Sequence, residues 1–262
     1  MTVDAGNMAG MEGTESMKSP GGATVSATTV KTTGATAATT EVTTTGAIIL
    51  AAGSSQRFGS HKLLAKLDNG ETMFAQTLNN IRTAIPHVLV ITRPELVDAL
   101  RSAQCSTRNS TPHEADVHGN THNNTRNNTR KNSLNILTFN DAEQGMGASL
   151  AFAATQLPAW DAVLVCLADM PFISSATYKA IAERATASNI VVPEFGGKHG
   201  NPVAFGAQFF PALAGLSGDG GGRRLWQTRT EAVLAVPVDD PGVLLDIDTP
   251  EQLAAASAQN PA

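Results

Sequence analysis

Chemistry in this chain starts from a glycine-bounded loop that carries cations and from two aspartates that follow apolar runs. Ala47-Ile48-Ile49-Leu50 is a short apolar run of the kind that makes a buried strand. It leads into Ala51-Ala52-Gly53-Ser54-Ser55, whose side chains are too small to wall off the backbone, and then into Arg57, Gly59 and Lys62. Successive exposed backbone N–H groups beyond a strand end form a concavity that binds anions. Arg57 and Lys62 add mobile positive charge, so the chemistry indicated is a polyphosphate cradle; a flexible strand-to-helix connection is the plain alternative. Five residues separate Gly53 from Gly59, and Ser60-His61 intervene before Lys62, so the spacing excludes a Walker A loop. Gly53-Ser54-Ser55-Gln56-Arg57 also lacks the G-x-G-x-x-G of a dinucleotide site.

Ala162–Ala168 is the most hydrophobic run in the chain and ends in Asp169-Met170-Pro171. A carboxylate at the carboxyl end of a buried parallel strand points into the crevice where open α/β sheets bind ligands. Such a charge needs a partner, and Mg²⁺ takes one or two carboxylates together with substrate phosphate oxygens. A helix N-cap is the competing role for Asp169. The second aspartate is Asp248, in Asp246-Ile247-Asp248-Thr249-Pro250-Glu251, where Pro250 suits the first turn of a last helix and Asp248 could cap it. Between them in kind is Gly145-Met146-Gly147-Ala148-Ser149-Leu150: Gly145 and Gly147 permit close backbone approach, and Ser149 begins a helix running through Phe152 and Leu157. The N-terminus of that helix could face a phosphate or ribose, or be an ordinary glycine-rich helix start.

These groups need a scaffold, and the chain supplies alternating elements. Thr72 is placed to cap a helix with Phe74, Leu78 and Ile81 on its apolar face; Val88–Ile91 reads as a strand, and Pro94 opens a helix through Leu96 and Leu100. Leu134–Leu137, Ala162–Ala168 and Ile190–Pro193 are further strands. Strand–helix alternation marks a parallel sheet with crossover helices.

The chain has 262 residues, with 42% hydrophobic and 16% charged side chains and a formal net charge of −5. Mild acidity gives no reason to expect nucleic acid or a membrane surface as partner. No apolar run approaches the roughly 20 residues that span a bilayer. Residues 1–45 are Thr, Ala, Gly and Ser with few large apolar side chains, and read as a disordered tail without a secretory signal. The segment 104–133 reads as a solvated low-complexity insertion within a domain spanning 46–258. Two cysteines, Cys105 and Cys166, build no disulfide framework, which fits a cytoplasmic protein, with Cys166 a small core residue.

Leu50–Lys62, LAAGSSQRFGSHK, closely resembles the L-A-x-G-x-S-x-R-F/M-G-x-x-K signature of the MobA-like nucleotidyltransferases. Ala52 stands where guanylyltransferase members have a second motif glycine, so the likeness within the family is to the molybdenum cofactor cytidylyltransferases. The resemblance extends over Gly46–Ala103 and Leu134–Ala256, including G-M-G-x-S-L at Gly145–Leu150, the metal-binding D-x-P at Asp169–Pro171 and D-I-D-T-P-E at Asp246–Glu251. It implies a single Rossmann-like three-layer α/β domain with a mostly parallel sheet. It also implies transfer of CMP from CTP to the terminal phosphate of molybdopterin, with release of pyrophosphate. In that reading Leu50, Ala51, Ala52, Gly53, Ser54, Arg57, Lys62, Gly145, Gly147 and Ser149 bind nucleotide, and Arg57, Lys62 and Asp169 are catalytic. Asp169 and Asp248 hold Mg²⁺, with Asp246 as the runner-up. Gly196–Val203 resembles the acceptor-facing loop of the family, and Gly218–Arg223 its G-D-x-G-A/G-R segment. His199, Asn201 and Asp219 are therefore expected at the acceptor, although Asn201 replaces the commoner His and Asp219 could instead cap the following helix. A molybdoenzyme or its maturation chaperone is the implied macromolecular partner. Another small acceptor and GTP as donor remain open alternatives, and a nicotinamide-dependent oxidoreductase is disfavoured by the missing fingerprint.

Overall fold

Strand β1, Thr45–Ala51, sits inside the sheet because every residue from Gly46 to Ala51 is buried. The structure is a computed structural model describing residues 43–53, 58, 61–106 and 133–259. Residues 1–42 of the proposed tail and most of the proposed insertion lie outside the described residues. The first strand takes in Thr45, which pairs with Ala162, and β3 begins at Ser133. Helix α2 runs to Ser106, so both ends of the 104–133 segment belong to regular elements.

Parallel pairing joins β1 to β2 (His87–Thr92) and β4 (Ala162–Leu167), and β2 to β3 (Ser133–Thr138). Beyond β4 lie β7 (Val203–Gly206), antiparallel to β4 and β5, then β5 (Ile190–Phe195). The short β6 (Lys198–His199) pairs antiparallel with β5, and β8 (Val233–Pro237) pairs parallel with it. The order is β3-β2-β1-β4-β7-β5-β6, with β8 also on β5. After β1 the chain builds outward on one side through β2 and β3, then returns to the other side of β1 with β4. That reversal opens a crevice beyond the carboxyl ends of β1 and β4, the place where such sheets bind ligands.

Alternation along β1 divides two cores. Ala47, Ile49 and Ala51 face a layer containing α1 (Met73–Ala84), α2 (Val97–Ser106), α4 (Ser175–Arg184) and α7 (Pro250–Gln259), which contribute Phe74, Leu100, Ile181 and Ala256. Ile48 and Leu50 face α3 (Met146–Thr155) and α5 (Phe210–Ala214), through Leu150 and Leu213, with Leu225 and Trp226 of α6 (Arg223–Thr228) packed alongside. Three layers result. Thr72 caps α1 by accepting from the Ala75 N–H, and Pro94 opens a 3-10 turn, Pro94–Leu96, that leads into α2. Helix α3 starts at Met146, three residues before Ser149, and stops at Thr155, short of Leu157.

Cys166 is fully buried in the first of these cores, and burial pushes its thiol well above the usual range. A buried neutral thiol is inert. We expect no labelling of Cys166 by iodoacetamide in the native protein and full labelling in denaturant, read by peptide mass spectrometry. Native labelling of Cys166 would contradict this packing. Among the described residues no helix is long and apolar enough to cross a membrane.

Candidate active site

Three charged groups distant in sequence meet at the crevice. Lys62 Nζ lies 2.7 Å from Asp169 Oδ2 and 3.0 Å from Asp248 Oδ1, across sequence separations of 107 and 186 residues. Backbone bonds explain the convergence. The Ala168 N–H donates to the Leu50 carbonyl, extending the β1–β4 ladder to the edge of the loop, and the Ile247 N–H donates to the Asp169 carbonyl, docking the Asp246–Asp248 segment on the end of β4. Asp169 caps no helix. Ser174 caps α4. At α7, Thr249 Oγ1 accepts from the Gln252 N–H, while Gln252 Oε1 accepts from the N–H groups of Thr249 and Asp248. This reciprocal arrangement engages the helix start through Thr249 and Gln252, and the Asp248 carboxylate accepts from Lys62.

Lys62 therefore differs from the mobile cation expected of it. Its side chain is 12% exposed and tied to both carboxylates. Burial alone would lower its pKa, but attraction to Asp169, hydrogen bonds to Asp169 and Asp248 and attraction to Asp248 together hold the ammonium above its ordinary 10.5. A raised lysine stabilises the fold fully below its unfolded value and loses that contribution as pH rises through the folded one. The Lys62 cation is thus constant at neutral pH.

Lys62 and Asp169 line a cavity of about 680 Å³ with Leu50, Ala51, Ala52 and Gly53 at the end of β1. A Cβ added to Gly53 would meet nothing within 4 Å, so the backbone here is open to the cavity. The loop's exit is braced by β2: Thr92 Oγ1 donates to the Ala51 carbonyl at 3.3 Å and Arg93 Nε to the Ala52 carbonyl at 2.7 Å. Arg93, which also lines this cavity, was not among the sequence candidates. Its position, a cation directly after a parallel strand, was the available signal. Ser54 and Arg57 lie outside the described residues.

Gly145 and Ser149 line the same cavity, but Gly147 serves a different contact. The Gly147 N–H donates to the Gly218 carbonyl at 2.7 Å, so this amide at the start of α3 is bonded to protein and does not face a ligand. A Cβ on Gly147 would lie 2.6 Å from that carbonyl oxygen. The glycines let the α3 start and the 217–219 loop close against each other.

That loop carries Asp219, which borders both the larger cavity and a second one of about 280 Å³. The second cavity brings together His199, Asn201 and Asp219, the three residues expected at an acceptor, with Arg223 and Trp226. Gly222 occupies the N-cap position of α6, so Asp219 does not cap it. His199 meets Trp226 edge-on, with ring centroids 5.4 Å apart, and its Nε2 lies 3.3 Å from Glu194 Oε2 on the neighbouring strand. The Asn201 N–H donates to the Val243 carbonyl. Behind this wall Asp240, buried, accepts from the Ser174 and Gly242 N–H groups at 2.9 Å and from Thr177 Oγ1 at 2.5 Å. It fixes the Pro241–Leu244 turn that supports Asn201.

Asp169 Oδ1 is buried without a hydrogen-bond partner. A buried carboxylate oxygen left unpaired is costly, and it suits an added cation. Among the described residues no group of three or more His, Cys, Asp or Glu could hold a metal by itself. The donor set therefore fits a hard divalent ion completed by ligand oxygens rather than an all-protein cage.

Comparison with known proteins bears on the family and the fold. The chain is 30% identical over 209 residues to the purine catabolism protein PucB of Bacillus subtilis (strain 168), covering 78% of this chain and 92% of that protein. A 54-residue stretch, 21% of this chain and 27% of the relative, is 37% identical to a probable molybdenum cofactor guanylyltransferase of Geobacillus sp. (strain WCH70). Among solved structures, Rv0371c from Mycobacterium tuberculosis H37Rv superposes with a TM-score of 0.64 at 25% identity, over 82% of this chain and 98% of that one. The profile of the MobA-like NTP transferase domain matches residues 47–233, from the strand that feeds the loop to the first residue of β8. Sheet, crevice and sequence thus agree that this chain belongs to the MobA-like NTP transferase family.

Proposed function

We infer that this nucleotidyltransferase transfers CMP from CTP to the terminal phosphate of molybdopterin. One observation carries the inference: Lys62, Asp169 and Asp248 meet beside the open Ala51–Gly53 backbone, with a second cavity immediately adjacent. The triphosphate lies along the loop amides in the larger cavity, where Lys62 balances its charge. The acceptor occupies the smaller cavity against His199, Asn201 and Asp219. An acceptor phosphate oxygen attacks the α-phosphorus, the bond from that phosphorus to the bridging oxygen breaks, and pyrophosphate leaves with the electron pair. No protein nucleophile is required, because such transfers depend on positioning and charge stabilisation. Mg²⁺ on Asp169 and Asp248 supplies charge neutralisation for the phosphates when bound.

Ala52 supports cytosine as the donor base through the family resemblance, while the 54-residue match to a probable guanylyltransferase supports GTP as the second reading. The test is a melting panel of the four nucleoside triphosphates with Mg²⁺, followed by pyrophosphate release with molybdenum cofactor. Selective binding raises apparent stability by mass action, about 2.7 kcal/mol at a hundredfold excess over Kd. CTP should give the largest shift and sustain turnover. Turnover with GTP and none with CTP would replace the donor. Nicotinamide oxidation without nucleotide consumption would remove the transferase reading.

A further inference from the structure

We propose that Lys62 has two stations: it holds the carboxylate pair when the crevice is empty, and it moves to phosphate when metal and nucleotide arrive together. This rests on the reading of the site as a metal–nucleotide crevice and assigns Lys62 a role in binding order. The first station is seen directly. Lys62 Nζ sits between Asp169 Oδ2 and Asp248 Oδ1 at 2.7 and 3.0 Å, on the oxygens that a divalent ion would need. An ammonium and a metal ion cannot share that gap, because like charges at such separations repel strongly in a partly buried site. Asp169 Oδ1, buried and without a hydrogen bond, is a further oxygen on which an arriving cation can gain. Lys62 is thus a resident competitor for the same carboxylates.

The second station is within reach. Lys62 lines the same cavity as Gly53 and starts the 3-10 turn Lys62–Leu64 directly after the loop. Its four-carbon stem gives a point charge that can be re-aimed. The other described cation lining that cavity, Arg93, is anchored through Nε to the Ala52 carbonyl. A metal ion arriving alone would strand the Lys62 ammonium beside another cation. A metal ion arriving with a polyphosphate leaves Lys62 a new anionic partner. Metal and nucleotide are therefore coupled through Lys62, and the coupling is reciprocal.

The test uses the full chain, Mn²⁺ as spin probe and α,β-methylene CTP as the non-reacting nucleotide. In the unaltered protein we expect Mn²⁺ to bind at least about tenfold more tightly with the nucleotide than without it, within the usual range of such couplings. Lys62→Met should bind Mn²⁺ without nucleotide about tenfold more tightly than the unaltered protein, with the coupling reduced to a few-fold. Lys62→Arg keeps the positive charge and should retain weak binding of Mn²⁺ alone. A lysine that merely supports the fold would make Lys62→Met lose metal affinity. Unchanged or weaker Mn²⁺ binding in that variant overturns the two-station role, as does the same gain in Lys62→Arg. If Lys62→Met does not fold, the measurement on the unaltered protein decides: no coupling overturns the proposal. Absence of Mn²⁺ binding even with nucleotide would remove the metal reading itself, a separate failure.

Discussion

Asp169→Asn lowers nucleotidyl transfer by about a thousandfold, roughly 4 kcal/mol of transition-state stabilisation, while the protein stays folded. Asp169 is the shorter of the two contacts to Lys62, it stands at the end of β4, and one of its oxygens is buried without a partner. Asn preserves shape but removes the charge that would hold the proposed metal and its phosphates. Stability changes by no more than about 1 kcal/mol, because the group is partly exposed and Lys62 retains Asp248. Removing one of two carboxylates around a single ammonium also relieves their mutual repulsion. Asp248→Asn follows the same logic with a smaller loss, since its contact is longer and its side chain more exposed. Steady-state pyrophosphate release and thermal melting of both variants check this. Turnover of Asp169→Asn within tenfold of the unaltered enzyme would take the carboxylate out of the site, and so would a loss matched by unfolding.

The elements that carry Asp169 were legible in the sequence for a physical reason. Ala162–Leu167 is apolar on both sides because a central parallel strand is covered on both faces, and a charge just after such a run must emerge at the sheet's end. The same holds for Gly53 after β1. What no local pattern carries is the partner of each group. Asp248 reaches Lys62 as its segment docks on the end of β4, where the Ile247 N–H bonds to the Asp169 carbonyl, a contact between segments 78 residues apart. Lys62 reads as a free cation beside a loop; its capture by two carboxylates is a property of the assembled crevice. Asp240 was missed for a related reason. In sequence it is one acid before a proline, whereas its Ser174 and Thr177 partners lie more than sixty positions upstream. Of the antiparallel β7 the sequence reading reaches only Val203, as the end of a loop, since four residues between Pro202 and the turn at Ala207 give too short a period to register.

Gly145→Ala costs about 2–6 kcal/mol of stability, the sum of a forced backbone conformation and an overpacked contact. Gly145 has φ 97° and ψ 175°, a region that belongs essentially to glycine. A Cβ there would also lie 2.3 Å from Asp219 Oδ1 and 2.7 Å from the Gly218 carbonyl carbon and oxygen. The backbone atoms cannot swing aside, so the 217–219 loop must retreat from α3, breaking the Gly147 N–H bond to Gly218. Asp219 then leaves the wall between the two cavities, and acceptor KM rises together with the loss of stability. Gly53→Ala provides the contrast. Its added methyl meets no protein atom within 4 Å and projects into open space. The fold is expected to keep its melting temperature, while nucleotide binding weakens if phosphate approaches the backbone at that point. Chemical denaturation of both variants, paired with nucleotide and acceptor titrations, separates the two glycines. Equal stability of Gly145→Ala and the unaltered chain would mean that the α3 start and the 217–219 loop are not in contact in solution. Unchanged nucleotide affinity in Gly53→Ala would mean that the loop backbone is not the surface on which the phosphates rest.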